Sequence, residues 1–192
     1  VHCTCAQYIH GWVDPAGPHF VGTGTNQAFG LDGAFTLQDE LVVNTYLAKT
    51  ETSGVTTDDV SYRTQLDYQG DRYGAQLERL VVGDNFAPEV GFARRDNMAK
   101  NFALVRFSPR TKRFKRVRKF YGHLSLSRIA NRKDHLETRT VDSQFEIQFQ
   151  NSDRFAVGIN DDYELLLKPF TVLPGAKVPA GGYDFTTGRI SY

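Results

Sequence analysis

At 192 residues and 21.6 kDa, the chain is long enough to bury a sizeable core and too short for a comfortable pair of domains. A net charge of +1, from 23 Lys and Arg against 22 Asp and Glu, excludes a global pull toward nucleic acid or anionic lipid, so any electrostatic action must be local. With 14 Phe, 9 Tyr and 17 Gly against one Met, disorder is excluded and pleated structure favoured; the absence of any apolar run near the roughly 18 residues of a membrane helix leaves a membrane β-barrel open, because alternating strands average out as polar.

The chain opens Val1-His2-Cys3-Thr4-Cys5, with no initiator Met and no signal-peptide pattern, and is expected to be a fragment whose residues 1–25 are a disordered or non-homologous leader. Cys3 and Cys5, near His2, His10 and His19, lack the spacing of a zinc knuckle and have no second Cys pair, so no metal site is expected there. From about Phe35 onward the dominant period is two. Strands are expected over Phe35 to Ala48, on both sides of a turn at Gly70-Asp71, and over Asn101 to Phe107, Arg118 to Ile129, Leu136 to Val141, Tyr163 to Lys168 and Tyr183 to Tyr192. Reflection about Gly70-Asp71 sets Tyr68 against Tyr73 and Leu66 against Ala75. The clearest hairpin turns at Asn151-Ser152-Asp153, where reflection about Ser152 places Phe149, Ile147 and Phe145 opposite Phe155, Val157 and Ile159 on one face, with Gln and Glu on the other.

The expected fold is therefore all-β, an antiparallel up-and-down meander. Three features point from a sandwich toward part of a transmembrane barrel. The polar faces carry long charged and amide side chains, as a wet lumen would. Aromatics Tyr68, Tyr73, Phe107, Phe120, Tyr121 and Tyr163 sit near strand ends, as in interfacial girdles. Long connections, Thr50 to Asp59 and Gly83 to Asn97, alternate with tight ones.

At Gly70-Asp71-Arg72-Tyr73-Gly74, Gln76-Leu77-Glu78-Arg79 and Val82 through Asp96, the sequence resembles a bacterial family with a C-terminal domain of unknown function, usually predicted as an outer-membrane β-barrel, that follows a family-nine carbohydrate-binding module. The similarity runs on through Asn101-Phe102, Phe107-Ser108-Pro109-Arg110, Asn151 to Phe155, Pro174-Gly175 and Gly181-Gly182-Tyr183, covering roughly residues 26 to 192. It implies a partial barrel domain over 26–192, an outer-membrane location, and a link to binding or passage of carbohydrate-related ligands in the intact protein. It carries over no catalytic residue and no cofactor. The alternatives are a soluble carbohydrate-binding sandwich or the remnant of a glycosidase-associated protein.

Candidate carboxylate pairs for glycoside hydrolysis, Asp58-Asp59, Asp161-Asp162, and Glu78 with Asp84 or Glu89, are common by chance, and turn-forming Asp has local reasons to be there. The segment Gly83 to Asp96 is the best candidate for a binding or constriction loop, through Asp84, Asn85, Phe86, Glu89, Arg94 and Arg95; the plainer expectation is a packed loop folded into the lumen. Residues 110–119 hold seven basic side chains on both parities, so no strand made of them can cross lipid. The run is expected as a connection at headgroup level, with Lys112, Arg113, Lys115 and Arg116 meeting phosphates of outer-membrane lipid or lipopolysaccharide, and not nucleic acid.

Overall fold

The structure, a computed structural model, describes residues 26–37, 39–54, 57–88, 95–173 and 175–192, together with the backbone of 2–4 and 9–13. Nine strands form an antiparallel up-and-down meander: β3 (Asn26–Leu37), β4 (Leu41–Thr52), β5 (Val60–Gln69), β6 (Tyr73–Val82), β7 (Met98–Phe107), β8 (Val117–Asn131), β9 (Leu136–Phe149), β10 (Arg154–Leu166) and β13 (Gly181–Ser191). Two pieces of the expected leader, β1 (His2–Thr4) and β2 (Ile9–Val13), pair along the free edge of β3. The pair β11 (Phe170–Leu173) and β12 (Ala176–Val178) forms a separate two-stranded ribbon between β10 and β13. The sheet is open, with no closing pair between its two edges among the described residues.

Strand lengths of 10 to 15 residues exceed what the sequence suggested in several places. The expected strand Phe35 to Ala48 is two strands, reversed at Asp39, whose φ of 55° is a left-handed conformation that Asp tolerates better than most residues. Conversely, Leu136 to Val141 and the run to Phe149 are one strand, as are Phe155 to Ile159 and Tyr163 onward.

Both hairpin registers differ from expectation by two residues. In β9–β10, Ile147 faces Phe155 and Phe145 faces Val157, while Phe149 lies diagonal to Phe155 and donates its N–H to the Asp153 carbonyl (2.9 Å). The cause is Ser152, at φ 75°, which closes a three-residue loop centred on Asn151 instead of a turn symmetric about itself. In β5–β6, Tyr68 faces Ala75 and Leu66 faces Leu77, because the turn is centred on Asp71-Arg72. A shift of two preserves parity, so the expected face assignments survive in both hairpins.

Parity followed through the register separates two faces. One carries Leu31, Leu47, Tyr62, Leu77, Val105, Leu124, Phe145, Val157 and Ile190, every one exposed. The other carries Arg63, Glu78, Lys100, His123, Asp142, Gln144, Glu146, Asn160 and Arg189. Among the described residues the buried apolar ones are only Val81, Val82 and Ala130, and no second sheet of these residues covers the apolar face.

Candidate functional site

The apolar face is a bounded band that crosses the sheet obliquely. A single row of register partners runs Thr45, Thr64, Arg79, Asn101, Arg128, Arg139, Tyr163 and Asp184, from β4 to β13. Leu47 on β4 lies two residues from that row toward the end bearing the 83–97 connection; Leu77 on β6 lies two residues the opposite way, Val105 on β7 four, and Phe145 on β9 six. Both borders shift in the same sense. The aromatic border moves from Tyr68, four residues out, through Tyr73 and Phe107, six out, to Phe120 and Phe155, eight out. The charged border moves from Lys49, four residues on the other side, through Arg79 and Arg128 on the row, to Asp161, two residues across it.

A drift of about one to one and a half residues per strand, at a rise of about 3.4 Å and a strand spacing of about 4.8 Å, corresponds to a tilt of about 35–47°. Barrel closure imposes a tilt of this size on strands crossing a flat slab. Tyr73 stacks on Phe107 (5.3 Å between centroids) and Phe120 on Phe145 (6.0 Å), two aromatic pairs along one border. Two aromatics expected in that border are elsewhere: Tyr121 lies on the polar face against His123 (5.7 Å), and Tyr163 lies in the opposite, charged border.

On the polar face, Glu78 is buried between Arg63, whose Nε donates at 2.9 Å, and Lys100, whose Nζ lies 2.8 Å away. His123 Nε2 meets Asp142 at 2.5 Å. A groove of about 160 Å³ between β9, β10 and β13 has Ala156 and Gly158 along it and polar walls that include Asp142, Gln144, Glu146 and Arg189. Its walls offer hydrogen-bond donors and acceptors, a surface suited to water and hydroxylated solutes.

The first residues of the candidate loop, Gly83 to Pro88, fold onto this polar face. Gly83 N–H donates to the Val60 carbonyl (2.9 Å) and Asn85 N–H to the Asp58 carbonyl (3.0 Å), while Asn26 Nδ2 donates to the Ala87 carbonyl (2.9 Å) and Ala87 N–H to Thr50 Oγ1 (3.2 Å). Asn26 and Thr50 are fully buried polar side chains. Gly83 is required because a Cβ there would sit 2.0 Å from the Asp58 carbonyl oxygen. Asp84 is exposed, Phe86 is half-buried, and Arg95 pairs with buried Glu137, which lies at a break in the β8–β9 register. Glu89 and Arg94 lie outside the described residues. Of the carboxylate pairs, Asp161 and Asp162 point to opposite faces, Asp58 pairs with Arg132 and Asp59 with Lys49, and Glu78 is held by Arg63 and Lys100 while Asp84 is exposed.

Residues 110–116 of the basic run form the connection between β7 and β8, whereas Val117, Arg118 and Lys119, expected in the same connection, begin β8. Arg110 pairs with Asp71 (2.9 Å) and its backbone forms a β-bridge with Lys119, whereas Lys112, Arg113, Lys115 and Arg116 are exposed with no carboxylate partner among the described residues. Arg106 at the same end was not singled out from the sequence. It lies on the polar face and donates to the carbonyls of Gly70 (2.6 Å) and Tyr73 (3.0 Å) and to Ser108 Oγ, and Gly74 leaves it room, since a Cβ there would be 2.6 Å from Arg106 Nε. The side chains of Cys3 and Cys5 lie outside the described residues.

Comparison with protein-family models, with curated proteins and with solved structures finds no match to the chain.

Proposed function

We propose that the chain forms a stretch of the wall of a bacterial outer-membrane β-barrel, with no catalytic role of its own, whose oblique apolar face meets lipid and whose polar face lines a watery interior. The observation that carries this reading is the drift, in one sense, of three features, the apolar band, its aromatic border and its charged border, by about one to one and a half residues per strand. An apolar face covered by another protein layer has no need of two borders that follow the tilt. A soluble sandwich would require a second sheet over Leu77, Val105 and Phe145, and the described residues supply only the β11–β12 ribbon.

Under this reading the loop from Gly83 folds inward over the polar face, where it narrows one mouth, and the groove along β9, β10 and β13 is where a carbohydrate-related ligand would be bound or passed. The test is a pair of Arg substitutions on adjacent residues of β8. Leu124→Arg, in the band centre, should cost about 2–4 kcal/mol of folding stability in phosphatidylcholine vesicles, and Ser125→Arg, facing the interior, should cost little. Equal tolerance of both, or failure of the wild type to stay with the bilayer after a urea wash, would overturn the proposal.

A further inference from the structure

The two ends of the sheet differ in a way that assigns a side and a lipid to the basic connection. One end has the connections 38–40, 70–72 and 150–153 together with the basic 108–116; the other has 53–59, 83–97 and 167–180 together with the short 132–135. At the latter end Arg95, Arg128 and Arg132 are paired with Glu137, Asp134 and Asp58. At the short-turn end four cations fall within five residues, exposed and without an ion-pair partner among the described residues. The residue among them, Phe114, packs edge-on against Phe120 (6.2 Å, 87°), which stacks in turn on Phe145 of the apolar face. The connection therefore leans toward the lipid-facing side of the sheet, with its charges just beyond the aromatic border.

Its position is fixed by the neighbouring turn, since Gln150 N–H donates to the Arg116 carbonyl (2.9 Å). Between them lies a groove of about 500 Å³, lined by Lys115, Arg116 and Phe149 among others. Asp153 also lines it, its carboxylate held by Asn151 and the Tyr192 hydroxyl, so that Lys115 and Arg116 leave the lining with a net positive charge. Two free cations beside an aromatic side chain match a phosphodiester whose acyl chains run down the apolar face.

We propose that Lys112, Arg113, Lys115 and Arg116 dock the headgroups of anionic glycerophospholipids in the periplasmic leaflet of the outer membrane. This narrows the expected partners: lipopolysaccharide, in the opposite leaflet, is not the ligand of this loop. The side follows from the balance of connection lengths: three of the four at this end have three or four residues, three of the four at the other have seven or more, and the short turns of outer-membrane barrels face the periplasm. The inference rests on the membrane reading above.

The experiment uses the full chain, with Cys3→Ser and Cys5→Ser, expressed in a Gram-negative host. The side is read by labelling Thr111→Cys and Lys133→Cys with a membrane-impermeant maleimide. Lys133→Cys should label in intact cells, and Thr111→Cys only after the outer membrane is permeabilised; labelling of Thr111→Cys in intact cells would overturn the assignment. The lipid is read by reconstitution into vesicles of phosphatidylcholine with a minor fraction of spin-labelled phosphatidylglycerol. Wild type should enrich the labelled lipid at its boundary about tenfold over a variant carrying Gln at all four positions. Equal enrichment in both would remove the site. A wild type that never enters the vesicles would instead overturn the membrane reading, and a wild type that enters them without the enrichment overturns this inference alone.

Discussion

Asp71 and Arg110 join the turn between β5 and β6 to the basic connection, and their pairing has a definite pH signature. The Arg110 guanidinium, by its hydrogen bond first and its charge second, holds the Asp71 carboxyl below the ordinary value of 3.8. A depressed carboxyl contributes stability that is present above its unfolded value and lost as the pH falls through the folded one, so the pair should persist from neutral pH down to about 3.8. Both side chains are largely exposed, so the contribution to stability is small, and the informative readout is the titration itself. In a carboxyl-carbon NMR titration the Asp71 midpoint should lie below 3.8 and rise in Arg110→Gln; no change on that substitution would break the assignment. At this scale the sequence made some roles legible and hid others. The clustering of Lys112 to Arg116 on both parities excluded a lipid-crossing strand and located a connection. Nothing local announced that Arg106 would be held by the carbonyls of Gly70 and Tyr73, because that depends on which strand lies beside it. Likewise, Asn26 shows no sign in sequence of anchoring Ala87, 61 residues away.

The strands themselves were readable from period two, and their pairing was not. Alternation fixes which residues share a face, but a slip of two residues leaves every face assignment intact, so the sequence pattern discriminates poorly between such registers. The turns decide it. Ser152 at φ 75° sets the three-residue loop, and Asp39 at φ 55° breaks what looks in sequence like one continuous strand. Ser152→Gly should therefore stabilise the hairpin by about 1 kcal/mol, since glycine adopts the left-handed region without the penalty of a side chain, and Ser152→Val should destabilise it. Thermal or urea unfolding in micelles measures both, and a loss of stability in Ser152→Gly would contradict the turn geometry. The register has its own check. Phe149 and Asp153 form a hydrogen-bonded pair, so Gln148 and Arg154 should show a close cross-strand Hα–Hα contact by NMR, as should Glu146 and Ala156. A contact between Gln150 and Arg154 would restore the register expected from sequence symmetry.

Across the whole molecule, the property that matters belongs to no single strand. Each strand shows an apolar face, which a sandwich would also provide; only the register reveals that the band and its borders climb together from β4 to β10. That relation was out of reach in the sequence because it needs the correct pairing of every neighbour, and the two hairpins that were paired by symmetry were each offset by two residues. The central claim is that this oblique band lies in the hydrocarbon of a bilayer. The most direct measurement is spin-label accessibility in reconstituted vesicles, with nitroxides placed singly at Leu47, Leu77, Leu124 and Phe145 along the band and at Gln76, Ser125 and Gln144 on the polar face. The account predicts that the first four are reached by oxygen and shielded from an aqueous nickel complex, all at similar depth although they lie at different distances from their register row, and that the other three show the reverse. Nickel access at the four band positions, or a depth that follows the register row instead of the diagonal, would contradict it.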